Sequence, residues 1–213
     1  QKLVEESPAP NLSSATKAGL TAAAVKGARA IDYVNAGTLE FLVEPAGRFY
    51  FLEMNTRLQV EHAVTEEVTG LDLVAAQLRV AAGEPLPWPP EQIRVRGVAV
   101  ECRVYAEDPA RNFLPSPGPI TVAEWPEGPG IRIEAGVAAG GEVPVHYDPL
   151  IAKIIASGRT RDEAVARMAR ALEACRIEGV KTTLPFLARV IGSEAFRAGA
   201  VHTQMVEQGA FHA

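Results

Sequence analysis

The sequence is poor in the residues from which disulfide-stabilised, zinc-binding and membrane proteins are built. Only two cysteines occur among its 213 residues, Cys102 and Cys175, which is too few for a disulfide framework or a cysteine-rich zinc site. We expect both to be free thiols in a reducing compartment. The sequence shows no secretory signal and no apolar run long enough to cross a bilayer. These absences predict a soluble, cytoplasmic protein without a membrane partner.

Positive charge is also in deficit. The formal net charge is −5, and lysine and arginine nowhere form a run that would follow a phosphate backbone, so we expect no nucleic-acid partner. Hydrophobic residues nevertheless make up 47% of the chain. That fraction is ample for a folded core, and the length allows one large domain or two small ones.

The most informative pattern lies between Phe51 and His62. Polar side chains occupy every second position of this stretch: Glu53, Asn55, Arg57, Gln59 and Glu61. Residues two apart share a face of an extended strand, so the pattern predicts one strand with all five polar groups on one surface. Carboxylates, an amide and a guanidinium together can hold a divalent cation beside an anion. A solvated edge strand is the alternative interpretation.

A second strand precedes this one, and the two together predict a hairpin. Residues 37–43 and 48–54 are both rich in β-forming residues, and the Glu44-Pro-Ala-Gly47 segment between them is a turn signal. A hairpin that is symmetric about this turn has three opposed pairs: Glu40 with Glu53, Leu42 with Phe51, and Glu44 with Phe49.

The opposed pair Glu40 and Glu53 indicates a cation site. Like charges that face each other across two strands repel, so the pair is unfavourable unless a cation lies between the carboxylates. Oxygen ligands from both, completed by the amide of Asn55, suit Mg²⁺ or Mn²⁺ better than zinc. A register that differs by one or two residues would instead leave both glutamates facing water.

A proline-rich segment at residues 84–90 separates two parts of the chain, because proline lacks a backbone donor and fixes φ. Before it we predict helices at 16–31, 65–70 and 71–82, the first capped by Ser13 or Ser14. Beyond it we predict strands at 94–105, 120–125, 131–135 and 150–157, a helix opened by the capping box Thr160-Arg-Asp-Glu163, and helices at 181–190 and 200–208. The expected fold class is α+β with antiparallel strands.

Several stretches together resemble one family. Glu40, then Glu53-Met-Asn55, then Arg57-Leu-Gln-Val-Glu-His62 is similar to the metal-and-bicarbonate segment of biotin carboxylase, an ATP-grasp enzyme. Further stretches fit in the expected order: Gln1–Pro10, Val100–Asp108, Phe113–Gly118 and Tyr147–Lys153. The resemblance implies the C-terminal part of an ATP-grasp domain, a β-hairpin plus helices, over residues 1–88. It implies the biotin carboxylase C-terminal α+β domain over residues 97–208.

The resemblance implies an ATP-dependent carbon–nitrogen ligase. In that family ATP activates bicarbonate as carboxyphosphate, and CO₂ is delivered to biotin on a carrier protein. The reaction is a step of acetyl-CoA or related acyl-CoA carboxylation, and so of fatty acid biosynthesis. The implied partners are a biotin carboxyl carrier protein or domain and carboxyltransferase subunits. No glycine-rich phosphate loop precedes the hairpin, so we expect a C-terminal fragment that is inactive alone.

The implied roles around the hairpin follow from the matched positions. Mg²⁺ or Mn²⁺ would be held by Glu40, Glu53 and Asn55. Bicarbonate would be bound by a larger set: Lys2, Arg57, Gln59, the Val60 backbone N–H and Glu61. Glu61 is also the implied general base, and Arg57 is counted with it among the catalytic residues. An ion pair of Arg57 with Glu53 or Glu61 is the alternative for that arginine.

Three further residues have implied roles, each beside an alternative. Arg103 corresponds to the arginine that stabilises the biotin enolate, whereas its strand position alone suggests a solvated face shared with Glu101. Asp148 either orients Arg103 or caps the turn at Pro149. Leu42 matches an apolar side of the adenine pocket but equally suits the hairpin core.

A homodimer is implied less strongly than the activity. Arg132 of the family's dimer contact is present, but Pro129 stands where that contact has an aromatic residue. Two other functions compete with the main one. Residues 97–208 alone would suit a non-catalytic module for association with other subunits, and the hairpin alone would suit another ATP-grasp ligase of the carbamoyl-phosphate type.

Overall fold

A computed structural model describes residues 2–211. Gln1, with which the first family-like stretch begins, lies outside the described residues. The α-helices are α1 Ser14–Ala30, α2 His62–Thr69, α3 Leu73–Ala81, α4 Arg161–Ala174, α5 Leu184–Gly192 and α6 Glu194–Arg197. Short 3₁₀ turns lie at Pro90–Gln92 and Pro109–Arg111. Within residues 2–211, no helix has both the length and the hydropathy needed to cross a membrane.

The strands pair in antiparallel fashion throughout residues 2–211. They are β1 Val4–Ser7, β2 Thr38–Val43, β3 Phe49–Asn55, β4 Val98–Tyr105, β5 Glu107–Asp108, β6 Leu114–Pro115, β7 Gly118–Pro119, β8 Val122–Glu124, β9 Ile131–Ala135, β10 Glu142–Val143, β11 Leu150–Gly158 and β12 Arg176–Glu178. The fold is therefore α+β, as predicted.

The chain forms two compact units, which we call the hairpin unit and the sheet unit. The hairpin unit is Ala9–Val95, and the sheet unit combines the segment that ends at Pro8 with the segment that begins at Arg96. The N-terminal segment joins the sheet unit because β1 pairs with β4. The sequence analysis did not predict this strand.

The hairpin unit begins with α1, whose start the sequence located well. Ser13 is the N-cap, and its hydroxyl accepts a hydrogen bond from the Thr16 backbone N–H at 3.0 Å. Gly70 ends α2 in a left-handed conformation (φ 70°), which a residue without Cβ adopts at little cost. That helix begins at His62, three residues before the predicted start at residue 65.

The β2–β3 hairpin contains a bulge that decides its register. Near the turn, the Glu44 backbone N–H donates to the Arg48 carbonyl at 2.8 Å, and Leu42 faces Tyr50. The predicted pairs Leu42 with Phe51 and Glu44 with Phe49 are therefore wrong by one residue. One extra residue is then accommodated on β3 between the Phe51 and Glu53 pairs, which restores the predicted pair Glu40 and Glu53.

The predicted single strand between Phe51 and His62 is wrong beyond Asn55. Strand β3 ends at Asn55, and the next six residues form an irregular loop before α2. The alternation of Arg57, Gln59 and Glu61 therefore does not arise from one extended strand. These residues have no partner strand in the described hairpin, and the chain turns into a helix instead.

The sheet unit is built on the strand order β1-β4-β11-β9. One face of this sheet packs against α4 and α5, with Val100, Cys102 and Ile154 fully buried there. Alternate residues of the same strands point to the second face, which carries the charged residues described below. The predicted strand at 131–135 matches β9, and the predicted strand at 150–157 matches β11 to within one residue.

The helical predictions of the sheet unit have mixed outcomes. Thr160 is the N-cap of α4 and accepts from the Glu163 backbone N–H at 3.2 Å, as the capping box predicts. The helix predicted at 200–208 is wrong, because residues 203–211 form successive turns. Apolar contacts of Val201, Met205 and Val206 with the core hold this segment without a continuous helix.

Candidate functional site

The hairpin unit brings two carboxylates and two amides together. Glu40 on β2 faces Glu53 on β3. The Asn55 Nδ2 group donates to Glu40 Oε1 at 3.2 Å and to Glu53 Oε1 at 3.0 Å. Gln59, which is buried, donates from Nε2 to the same Glu40 oxygen at 3.0 Å. The three residues proposed from sequence as metal ligands are therefore neighbours, and Gln59 joins them.

The arrangement fits a hard divalent cation. One oxygen of each carboxylate lies within 3.2 Å of the same amide nitrogen, so both oxygens already converge on one point. The amide donors of Asn55 offset the repulsion between the opposed carboxylates. Rotation of that amide would present its oxygen to the same point and complete an all-oxygen donor set, which is typical of Mg²⁺ and Mn²⁺ ligation.

Arg57 begins the loop after β3 and lies beside this cluster. Its Nη1 donates to the Leu58 carbonyl at 3.1 Å, and its Nη2 donates to Asn55 Oδ1 at 3.4 Å. These contacts differ from the ion pairs with Glu53 or Glu61 that the sequence left open. The guanidinium is exposed and lies at the edge of the carboxylate cluster.

Glu61 and Val60 lie at the start of α2. Glu61 is the N-cap residue of this helix and is partly buried, but its side chain does not cap the helix. The His62 ring Nδ1 lies 2.9 Å from the Gln59 carbonyl, which ties the first helical residue to the loop. A helix N-terminus favours negative charge, so the backbone here stabilises a carboxylate or a bound anion.

Leu42 is 56% exposed, which a core residue would not be. The hairpin-core interpretation of Leu42 is therefore wrong, and an apolar surface at the hairpin remains. Lys2 belongs to the sheet unit, where it is exposed just before β1.

Arg103 lies on the second face of the four-stranded sheet and is only 8% exposed. Its Nη2 lies 2.5 Å from Glu5 Oε1 on β1, and its Nη1 donates to the Tyr105 hydroxyl at 3.4 Å. Burial lowers the pKa of the guanidinium, but Glu5 and Tyr105 outweigh this effect, so the pKa is raised. The solvated face expected from the strand pattern is wrong.

Asp148 contacts the backbone of its own turn. Its Oδ1 accepts a hydrogen bond from the Leu150 backbone N–H at 2.8 Å, so the turn-capping alternative describes its position. The residue that pairs with Arg103 is Glu5, which the sequence analysis did not single out. Recognition of β1 as a strand would have been the signal, since Glu5 then shares a face with Leu3 and Ser7.

Glu101 shares the face of Arg103, as the alternation predicts, but it is fully buried. Burial and then the nearby Glu5 carboxylate raise its pKa to about 8. Glu101 is therefore mainly protonated at neutral pH. Lys153, on β11 opposite Arg103, pairs with Glu134 at 2.5 Å. Ionic groups thus line this face of the sheet from β1 to β9.

Two family profiles match most of the chain. The profile described as the carbamoyl-phosphate synthase L chain, ATP binding domain, matches residues 1–88. The profile described as the biotin carboxylase C-terminal domain matches residues 101–208. The order of the two profiles follows the order of the hairpin and sheet units along most of the chain.

The chain is also similar to individual proteins over nearly its whole length. It is 50% identical over 208 residues to Biotin carboxylase 2 of Bacillus subtilis, which covers 98% of this chain and 47% of that protein. A pyruvate carboxylase subunit of Methanothermobacter thermautotrophicus is 50% identical over 208 residues, with 98% and 42% covered. The chain spans about half the length of the curated relatives it matches.

A solved structure shares the fold. The biotin carboxylase domain dimer of the Hydrogenobacter thermophilus 2-oxoglutarate carboxylase was determined in complex with MgADP, ADP and bicarbonate. It matches with a TM-score of 0.96 and 44% sequence identity, covering 100% of this chain and 48% of that chain.

Proposed function

Because this chain belongs to the biotin carboxylase family, we propose that it forms part of an ATP-dependent ligase that carboxylates biotin with bicarbonate. The observation that carries the proposal is the opposed carboxylate pair of Glu40 and Glu53, which shares the Asn55 amide and leads into the loop that bears Arg57 and Glu61. Groups suited to a metal, an anion and a proton transfer therefore follow one another along a short segment.

The proposed metal ligands are Glu40, Glu53 and Asn55. A bound Mg²⁺ or Mn²⁺ would neutralise the phosphate charge of ATP. The residues themselves supply a preformed pair of oxygens, held together by the Asn55 amide. Leu42 is proposed to contact the adenine, since its exposed apolar side chain lies on β2 two residues from Glu40.

The proposed bicarbonate site consists of Arg57, Gln59, the Val60 N–H and Lys2. The planar guanidinium of Arg57 matches the geometry of a carboxylate-like anion. Gln59 also donates to Glu40, so a group proposed to bind the anion is tied to a group proposed to bind the metal. Occupation of one subsite is therefore expected to affect the other.

Glu61 is the proposed general base. Its position at the N-terminus of α2 favours the ionised carboxylate, which can accept the bicarbonate proton. Arg103 is proposed to stabilise the biotin enolate as negative charge develops on the ureido oxygen. Its charge is secured by Glu5 and Tyr105 despite burial.

The proposed partners are a biotin carboxyl carrier protein or domain, carboxyltransferase subunits and a second copy in a homodimer. We propose acetyl-CoA or a related acyl-CoA as the final acceptor, as in fatty acid biosynthesis, and the cytoplasm as the location. Pyruvate competes as an acceptor, since one relative is named as part of a pyruvate carboxylase.

A carbamoyl-phosphate type of ligase is the second candidate, because the profile on residues 1–88 carries that name. The profile on residues 101–208 favours biotin carboxylation instead. Formation of carboxybiotin from free biotin, without carbamoyl phosphate from ammonia, would separate the two. The same assay tests a non-catalytic association module, which would form neither product.

The direct test uses the complete protein that carries these residues. We expect ATP hydrolysis that depends on both bicarbonate and free biotin. Glu61→Gln and Arg103→Ala should each lower its kcat by about 10²-fold or more, because each removes a group that acts in the transition state. Glu127→Gln, an exposed substitution in the sheet unit, is the control and should leave kcat unchanged. Full activity of both site variants would contradict the proposal.

A further inference from the structure

Two consecutive glutamates on β1 point to opposite faces of the sheet, and each pairs with an arginine. Glu5 Oε1 lies 2.5 Å from Arg103 Nη2 on the charged face. Glu6 Oε2 lies 2.8 Å from Arg161 Nε at the start of α4 on the helical face. The two pairs are similarly enclosed, since all four side chains are at most 17% exposed. They differ in which arginine they hold.

The surroundings of Arg103 make Glu5 its principal electrostatic partner. Across β11, the residue directly opposite Arg103 is Lys153, and like charges in that position repel. Lys153 is drawn toward Glu134, at 2.5 Å, on the far side. Glu5 approaches from β1 on the other side and is the leading favourable influence on the charge of the guanidinium.

Glu101 cannot take the place of Glu5. It lies directly opposite Glu5 in the β1–β4 register, and two ionised carboxylates there would repel. Burial and the proximity of Glu5 favour the protonated form of Glu101. The ionised carboxylate next to Arg103 on this part of the sheet is therefore that of Glu5.

We propose that Glu5 is a positioning residue for the reaction: its carboxylate on β1 holds the Arg103 guanidinium in the orientation in which it stabilises the biotin enolate. The inference rests on the proposed function of Arg103. Glu5 itself does not touch the reacting atoms. A short strand far from β4 in sequence thus contributes to the reaction by fixing one buried cation.

The experiment compares Glu5→Gln with Glu6→Gln in the complete protein, with free biotin as the substrate. Both substitutions remove one charge from the same strand and break one arginine pair. We expect Glu5→Gln to lower kcat by about tenfold or more while KM for ATP changes less than about twofold. Glu6→Gln should lower the melting temperature but keep kcat within about twofold of the parent.

A double substitution tests whether Glu5 acts through Arg103. If it does, Glu5→Gln should cause no further loss of kcat in an Arg103→Ala background, since the two changes remove the same interaction. An added loss as large as that of Glu5→Gln alone would overturn the inference. Equal kcat losses for Glu5→Gln and Glu6→Gln would also overturn it, because they would indicate a purely structural role.

The outcomes separate this inference from the proposed function. Unchanged activity of Arg103→Ala would overturn both. Loss of activity in Arg103→Ala with normal kcat in Glu5→Gln would overturn the inference alone. Should Glu5→Gln fail to fold, Glu5→Asp keeps the charge but draws it back by one methylene. We expect that variant to lower kcat with an unchanged KM for ATP, and a normal kcat would overturn the inference.

Discussion

At the scale of single residues, the two units handle negative charge in different ways. In the hairpin unit, Glu40 and Glu53 face each other and share the amide donors of Asn55. In the sheet unit, Glu5 and Glu101 face each other, and one of them is protonated at neutral pH because its pKa is raised to about 8. The exposed pair can accept a cation, whereas the buried pair stores a proton.

The proton on Glu101 predicts a dependence of stability on pH. The carboxyl has an ordinary pKa of 4.5 and a folded-state pKa of about 8. Between these values the folded state keeps a proton that the unfolded state has lost, so the free energy of unfolding should fall as pH rises through this window and level off above it. Glu101→Gln resembles the protonated acid and should flatten the curve.

The measurement is urea unfolding of the complete protein from about pH 5 to about pH 9, with and without Glu101→Gln. We expect the variant to gain stability relative to the parent toward alkaline pH. Glu127→Gln, an exposed substitution, provides the control and should follow the parent curve. Parallel curves for the parent and Glu101→Gln would show that Glu101 does not hold this proton.

At the scale of elements, Arg161 connects three of them in the sheet unit. As the first residue of α4 it donates to Glu6 on β1 at 2.8 Å and to the carbonyls of Phe196 and Arg197 in α6, both at 2.7 Å. Its guanidinium also lies 5.0 Å from the centre of the Phe196 ring. One side chain therefore fixes the start of α4 against both neighbours.

Arg161→Ala should destabilise the protein substantially. The substitution leaves Glu6 enclosed without its cation and two carbonyls without their donor, and the loss of a partner from such a pair costs about 3 kcal/mol. Arg159→Ala is the matched control, since the Arg159 side chain is 96% exposed and its pair with Glu163 is long, at 3.8 Å. Chemical denaturation measures both, and equal losses of stability would contradict the assigned role.

The predicted and observed hairpins differ for a reason that belongs to this scale. The turn signal and the opposed pair Glu40 and Glu53 could be derived from local pattern, but the extra residue at Leu52 could not. A bulge costs one unpaired residue and depends on packing around the strands. The same limit applies after Asn55, where alternation continues without a strand because the described part of the chain offers it no partner strand.

At the scale of the whole molecule, the metal and base candidates lie in the hairpin unit, and Arg103 lies in the sheet unit. The chain spans 47% of the length of Biotin carboxylase 2. We therefore expect these 213 residues alone to show no biotin-dependent ATP hydrolysis. Replacement of the matching segment of Biotin carboxylase 2 by this chain should give an active chimera.

The chimera is assayed for release of ADP that requires bicarbonate and free biotin. The same chimera with Glu53→Gln serves as the control and should be inactive, because a proposed metal ligand is lost. A folded chimera without activity would contradict compatibility of the two parts. Appreciable activity of the isolated chain would contradict the requirement for the rest of the enzyme.

The sequence by itself determined the local chemistry: the turn at Glu44–Gly47, the caps at Ser13 and Thr160, the α+β class, and the grouping of Glu40, Glu53 and Asn55. Periodicity and turn residues act over a few positions, so they can be read directly from the chain. Only the tertiary structure decided that Glu5 crosses from β1 to hold Arg103 and that Glu101 is enclosed and protonated. Pattern shows which side chains share a face, but what covers that face depends on segments about a hundred positions apart, which chain folding alone brings together.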